Sequence, residues 1–571
     1  MTDLPPSPGM DPYPPTFVAA DPPPPAGDRA PDPGSPLAAK VAWLLAIVFV
    51  LTTVLMNQLG ERPTKAGPQT PAEHVVEAPG LDPVTLNSKI WVKLANSLPF
   101  QQAEREMGMT QIDEGAQTIV DRFRAAIVAG ELLGEDAAIK RLAEVESQDA
   151  DAETPTPGLT ADIELYRSII DSGPASASPE DRARFETRHG WFARVASVYG
   201  LPETDPDRSK IVSGGGLLIA TIALFGLGFL AVVVLAIVMC ILMSVRLARG
   251  GMRPAFIPPA PGGSVYLEVL PFFVALFALF KLSLTLIVFA NNHVMPDWLN
   301  AASLAGQWLL LLAPLYPLLR GVGWAEHRRA MGWHSGEGFW REVRAGLFSY
   351  FAALPLLALA GAITVCVVVA RQLIMKNSGW PDWLSGQHAL MRPIVTLIVL
   401  GGVFAVVFAL AYVIQPRSAG RARPVNAAVF GGIFAIVLAV TCWQFLTAEE
   451  VVKQSPIAEL LEGSSLLELF LLFTLATIWA PLVEESIFRG AFFRHLRSRF
   501  GLFASAAVSA IAFGVMHPIG LLLMLPVTTL GFAFALTREW RGSLIGPMAG
   551  HALHNAMILT MAISLLRQLA D

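Results

Sequence analysis

The chain repeatedly runs for about 20 residues or more without a charged side chain, and this limits its fold more than any other feature. Residues 215–244, for example, contain no Asp, Glu, Lys or Arg. An α-helix of about 20 apolar residues crosses the hydrocarbon of a bilayer while satisfying its own backbone hydrogen bonds. Of the 571 residues, 53% are hydrophobic and only 15% charged, against about 25% charged in soluble proteins. An ordinary soluble enzyme is excluded. We predict an all-α fold, a polytopic helical membrane protein. The net charge of −5, with no basic block, gives no sign of a nucleic-acid partner. Cys240, Cys366 and Cys442 sit singly inside apolar runs, so neither a disulfide framework nor a zinc-thiolate site is expected.

Composition divides the chain into five parts. Residues 1–37 are rich in proline, including the run Pro22-Pro23-Pro24-Pro25, and read as a disordered cytoplasmic tail. Residues 38–57 form a membrane anchor rather than a cleaved signal, being far from the N-terminus and lacking an A-x-A-like exit. Residues 58–213 return to the charge density of a soluble protein. Ile119, Phe123, Ile127 and Leu132 recur there at helical spacing, so a mostly helical, inserted extracytoplasmic domain is expected. It shows no nucleophile motif or metal spacing, and its lone histidines, His74 and His189, read as structural. Residues 214–463 and 464–567 are again membrane-spanning. With the anchor, runs near 215–244, 265–290, 301–319, 346–370, 393–414, 427–447, 466–488, 503–517, 519–536 and 546–566 make about eleven transmembrane helices.

Arginines in the short loops orient these spans. They crowd 245–264, 320–344, 415–426, 494–499 and 538–541, and are absent from 291–300. The alternation places the N-terminus in the cytoplasm, with residues 58–213 and the C-terminus outside. We expect an integral protein of a bacterial inner membrane.

Ionisable groups inside apolar helices are costly, so each is a functional candidate. The last hundred residues concentrate them as Glu484-Glu485-Ser486-Ile487-Phe488-Arg489, Phe513-Gly514-Val515-Met516-His517 and His551-Ala552-Leu553-His554-Asn555. Gly501 is a natural turn between two helices. Glu485 lies 16 residues before it and His517 16 after it, which puts both about 24 Å from the turn at matching depth. The next turn is near Gly542, and His551 and Asn555 share one face of the final helix, about 14 to 20 Å above it. Three helices can therefore bring together a carboxylate pair, two histidines and an amide. A carboxylate with histidine can activate water, and a histidine and an amide can hold an oxyanion. Two histidines and a carboxylate can instead hold a divalent metal with an open water position. Arg489, one turn after Glu485, can keep the carboxylates ionised. The plainer reading is a buried Glu–Arg pair that ties helices together; three polar islands of compatible depth favour chemistry over it.

These three islands resemble the signature motifs of the CPBP family of intramembrane endopeptidases, which includes the type II CAAX prenyl proteases (the ABI proteins) and bacteriocin-processing proteins. Glu484-Glu485-x-x-x-Arg489, Phe513-x-x-x-His517 and His551-x-x-x-Asn555 match in order and spacing, over about residues 464–567. The stretch from Met331 to Glu342 is loosely similar to an amphipathic segment that often precedes this core. The resemblance implies that Glu484 activates water with His517, that His551 and Asn555 stabilise the oxyanion, and that Glu485 and Arg489 support the site. It implies a membrane-associated protein or peptide substrate in the lipid bilayer. It leaves the cofactor open between a divalent metal such as zinc, held by Glu484, His517 and His551, and none.

Other chemistries fail on the residues. Gly332-Trp333-His334-Ser335-Gly336 has one residue too many for a rhomboid-type G-x-S-G, Gly226-Leu227-Gly228-Phe229 lacks a presenilin-type aspartate, and no H-E-x-x-H occurs. A transporter would explain many spans and the intramembrane Glu268 and Lys281, but no internal repeat supports one. A non-catalytic scaffold or immunity-type protein is the remaining alternative. The topology predicts that a cysteine at position 147 reacts with an impermeant thiol reagent from outside, whereas one at 418 does not. The reverse pattern would overturn the orientation.

Overall fold

The computed structural model describes residues 29–59, 82–152, 155–202, 204–291, 296–377, 465–517 and 520–570. Residues 1–28, His74, the arginines of 415–426, Cys442 and the expected spans at 393–414 and 427–447 lie outside these. Among the described residues the protein is helical and has no strand, only an isolated bridge between Pro31 and Ala260.

The helices are α1 (Pro36–Leu59), α2 (Pro83–Ala95), α3 (Gln102–Gly115), α4 (Ile119–Leu133), α5 (Glu135–Ala150), α6 (Leu159–Ser172), α7 (Pro179–His189), α8 (Trp191–Ser197), α9 (Pro206–Val212), α10 (Gly215–Ala248) and α11 (Val265–Ala290). They continue with α12 (Trp298–Leu319), α13 (Trp324–Met331), α14 (Phe339–Asn377), α15 (Leu466–Arg497), α16 (Leu502–Val515), α17 (Gly520–Arg541) and α18 (Ile545–Ala570). Five of the described helices are long and apolar enough to cross a membrane: Pro206–Ala248, Val265–Ala290, Trp298–Leu319, Phe339–Cys366 and Leu466–Arg497. They contain the expected spans at 215–244, 265–290, 301–319, 466–488 and most of 346–370. The run at 503–517 becomes α16, whose 14 residues extend about 21 Å, less than the roughly 30 Å of hydrocarbon. That short helix sets the depth of His517.

Residues 84–212 gather around one apolar cluster of their own. Phe123, Ile127 and Leu132 of the expected stripe are buried in it. Local signals start the helices: Asp82 Oδ1 accepts from the Thr85 amide at 2.8 Å, and Thr118 and Asp121 cap α4 reciprocally. The C-terminal membrane helices pack in pairs, α16 on α17 and α14 on both α17 and α18. Where α14 crosses α18 the backbones nearly touch: a Cβ at Gly346 would lie 2.1 Å from the Gly546 carbonyl oxygen.

The two ends of this bundle differ in chemistry. At one end Lys93 of α2 donates to the Gln568 carbonyl at 2.6 Å, so residues 84–212 meet the start of α10 and the finish of α18. At the other end the arginines of the loops interlock. Arg497 pairs with Glu539 at 2.7 Å, Arg541 with Glu342 at 2.8 Å and Arg494 with Asp32 at 2.7 Å. Asp32 belongs to the stretch expected to be a disordered tail, and there the structure corrects the boundary. Residues 29–35 are held against 258–264, with the Ser264 and Val265 amides both donating to Pro33 oxygen. Glu268, unexplained in the sequence, accepts from Ser264 at 2.6 Å and Tyr316 at 2.7 Å and pairs with Arg320 at 3.0 Å. Lys281 is exposed, its ammonium 5.6 Å from the Phe277 ring centre.

His189 is not a bystander in the 84–212 cluster. Its Nε2 lies 3.0 Å from Asp162 Oδ2, which also pairs with Arg188 at 2.9 Å. Burial holds the imidazole below the ordinary histidine range, outweighing the raising effect of Asp162. A histidine kept neutral on folding binds fewer protons than the unfolded chain below about pH 6.5, so stability falls as pH drops through that value. The urea midpoint of this region, followed by pulse proteolysis, should decline from pH 7.5 toward 5.5, about the ordinary histidine range. His189→Gln should flatten the slope, and an unchanged slope would refute this origin.

Candidate active site

Helix α15 carries the carboxylate pair and is not uniform. Ser465 and Glu468 cap its start reciprocally. Two wide π turns, Leu475–Trp479 and Ser486–Phe492, then bracket the ordinary helical segment Ala480–Glu485. Pro481 brings no amide N–H to the ladder, which gives the first break a cause. Such turns re-aim side chains and free carbonyls. The Ala476 carbonyl in the first one accepts from Asn555 Nδ2 at 2.7 Å.

Glu485 and Arg489 are fully buried, one turn apart, with Nη1 and Oε1 separated by 3.0 Å. Glu485 Oε1 also lies 3.0 Å from His551 Nδ1, which joins α15 to α18. Rings enclose the guanidinium, with the Phe513, Phe488 and Phe534 centroids 4.3, 5.8 and 5.7 Å from its carbon. This is a cation–π cage for a charge with few polar partners. Gly531 makes room for it, since a Cβ there would come within 2.7 Å of Arg489 Nη2. Phe534 also lies along the His551 ring, 5.6 Å away at 24°.

Glu484 points elsewhere. Its Oε2 is buried without a hydrogen-bond partner and lies 3.9 Å from both His517 Nε2 and His551 Nε2. That is too long for a direct bond and suits one bridging atom. His517 Nδ1 is 2.8 Å from the Phe513 carbonyl oxygen, which can only accept, so Nδ1 carries hydrogen. His551 Nδ1 faces a carboxylate in the same way. In their neutral forms both histidines therefore turn a bare Nε2 toward Glu484. The direct carboxylate–histidine hydrogen bond is therefore made by Glu485 and His551, not by Glu484.

All six expected residues, Glu484, Glu485, Arg489, His517, His551 and Asn555, thus meet in one place. The donor chemistry of Glu484, His517 and His551 fits a divalent ion, because two bare imidazole nitrogens and an unpartnered carboxylate oxygen converge. Their Nδ1 atoms are fixed by outer partners, as metal-ligating histidines usually are. As the side chains stand, no group of three among the described residues is drawn close enough to chelate one. Sequence reasoning missed Phe534, Gly531 and Ser486, whose hydroxyl accepts from Trp333 Nε1 at 2.9 Å. It also missed Tyr350, whose hydroxyl is 3.2 Å from His554 Nδ1. Ser486, Phe488, Phe513 and His554 stood inside the motifs, whereas Phe534, Gly531 and Tyr350 lay outside them.

Removing one partner of a buried ion pair leaves an uncompensated charge, at a cost of about 3–5 kcal/mol. Arg489→Met should therefore lower thermal stability in detergent by about that much, and Glu485→Gln with Arg489→Met should recover part of the loss. A double variant no more stable than Arg489→Met would show that the pair does not govern this packing.

Comparison with known proteins agrees with the motif reading. Residues 466–557 match the family model for Rce1-like type II CAAX prenyl endopeptidases. No curated protein and no solved structure gave a match to the chain. The match covers less than a fifth of the chain, yet it contains every residue of the cluster, and the family is one of membrane-embedded proteases. Residues 466–557 are thus similar to the Rce1-like type II CAAX prenyl endopeptidases, in keeping with the CPBP motifs they carry.

Proposed function

We propose that the chain is an intramembrane endopeptidase that hydrolyses a peptide bond of a membrane-associated protein or peptide. The observation that carries this reading is the Glu484 oxygen, buried without a hydrogen-bond partner and 3.9 Å from two histidine nitrogens. One water oxygen about 2.8 Å from each would bridge all three. Glu484 takes a proton from that water, and the resulting hydroxide attacks the scissile carbonyl carbon. The C=O π electrons move onto oxygen. His551, held by Glu485, and the second amide hydrogen of Asn555, whose first goes to the Ala476 carbonyl, stabilise the oxyanion. Collapse breaks the C–N bond, and Glu484 passes its proton to the leaving nitrogen. Arg489 compensates Glu485 and does not touch substrate.

His551 acts as imidazolium in this scheme, because a bare Nε2 could not donate to the oxyanion and water's two hydrogens cannot serve three acceptors. A divalent ion held by Glu484, His517 and His551 would remove that requirement by acidifying the water it binds. The arginine-rich end faces the cytoplasm in our reading, with residues 58–213 on the other side of a bacterial inner membrane. A scaffold that keeps the fold without turnover is the competing reading, and the same variants separate the two.

Glu484→Gln should abolish cleavage of a membrane-anchored reporter peptide while the protein stays folded, because an amide cannot accept the proton. Asn555→Ala should slow it by about 10²- to 10³-fold, the effect of losing one oxyanion donor. An active Glu484→Gln protein would overturn the mechanism. The purified protein should work in chelator with no stoichiometric metal. Activity lost on chelation, with an ion that Glu484→Ala also fails to retain, would assign the metal form instead.

A further inference from the structure

The connection between α12 and α14 has two faces of opposite character. Its outer face combines basic and apolar groups: Arg328, Arg329, Arg341 and Arg344 are exposed, as are Trp324 and Trp340, at 55% and 71%. None of these four arginines lies within ion-pair distance of a carboxylate among the described residues, because Glu337 and Glu342 are both taken by Arg541. Glu326 is the remaining acid of the stretch and is exposed beside them. The inner face is bonded to the catalytic helices. Trp333 Nε1 donates to Ser486, the residue after the carboxylate pair, at 2.9 Å. The Leu544 amide donates to the Gly332 carbonyl at 3.0 Å, and Arg538 Nη2 to the Ala330 carbonyl at 3.2 Å. Gly332 adopts φ +85°, and a Cβ there would meet the Arg538 guanidinium at 2.5 Å, so this register admits little freedom.

We propose that residues 319–344 form a binding surface for anionic phospholipid headgroups, and that its occupancy orders the wide turn Ser486–Phe492 behind the carboxylate pair. Two features select lipid over an acidic protein. The surface lies between the end of one membrane-length helix, Trp298–Leu319, and the start of another, Phe339–Cys366, and the ends of such helices belong where headgroups meet hydrocarbon. Its indole rings suit that boundary while the guanidinium forks suit phosphate oxygens. The coupling runs through Trp333 and Ser486, one residue from Glu485. Only its catalytic consequence rests on the peptidase reading.

The test uses the full-length protein and phosphatidylglycerol as the probe. Native mass spectrometry should show phosphatidylglycerol retained over phosphatidylcholine, with the preference lost in Arg328→Gln/Arg329→Gln/Arg341→Gln. Hydrogen exchange of peptides covering 486–492, measured in phosphatidylcholine nanodiscs, should slow by about fivefold when phosphatidylglycerol is added, as for a surface held by several basic residues. The triple variant, matched to wild type in melting temperature, should not respond. Trp333→Phe should keep the lipid preference yet lose the exchange response, separating binding from coupling. Equal retention of the two lipids, or a response that persists in the triple variant, would overturn the proposal. The same protection from soluble glycerol phosphate would also overturn it, as a free phosphate site. Reporter cleavage should rise severalfold with phosphatidylglycerol. If no peptide is cleaved in either lipid the peptidase reading fails, and binding and exchange still decide the lipid site.

Discussion

The buried ion pair between Glu485 and Arg489 is the interaction on which the site depends. Inside a bilayer neither charge is tolerable alone, and here each is offset by the other and by neighbours. Phenylalanine rings surround the guanidinium, and His551 bonds the carboxylate oxygen that Arg489 also binds. The pair thereby fixes the rotation of α15 and ties α18 to it. Glu484, one residue earlier, is turned by about 100° from Glu485 around the helix. The two adjacent carboxylates can differ in role because only one of them is consumed by structure.

The short α16 and the wide turns of α15 complete the arrangement. The 14-residue α16 delivers His517 from one side, just past its C-terminal end. The freed Ala476 carbonyl in α15 holds Asn555 from the other. Gly531 and Gly346 act at one remove, each permitting an approach that a methyl group would block. Polar atoms are thus brought to one depth by backbone devices more than by side-chain length.

Much of this was legible in the sequence. Counting residues from Gly501 placed the carboxylates and His517 at one level, and i,i+4 spacing put His551 and Asn555 on a common face. Both arguments use only the helical rise and its period. The division of labour between Glu484 and Glu485 was not readable from spacing, since adjacent glutamates look alike until their neighbours are placed. The π turns were hidden because Pro481 signals a break without saying how the ladder closes. Tyr350 with His554, and Asp32 with Arg494, are hundreds of residues apart in the chain, and no local pattern links such partners. Residues 29–35 read as tail from their prolines, and it is the receiving groove at 258–264 that holds them.

The clasp between Asp32 and Arg494 spans 462 residues of sequence. A contact of that separation closes only after almost the whole polypeptide exists, whereas residues 84–212 find their apolar partners among themselves. During synthesis the two parts are therefore completed at different times. The 84–212 cluster can form as its own residues emerge, in the way units with mostly local contacts fold early. The first described residues wait for the last helices to arrive. The arginine-rich end is assembled last, and a chain truncated before Arg494 lacks the partner that fixes its own beginning.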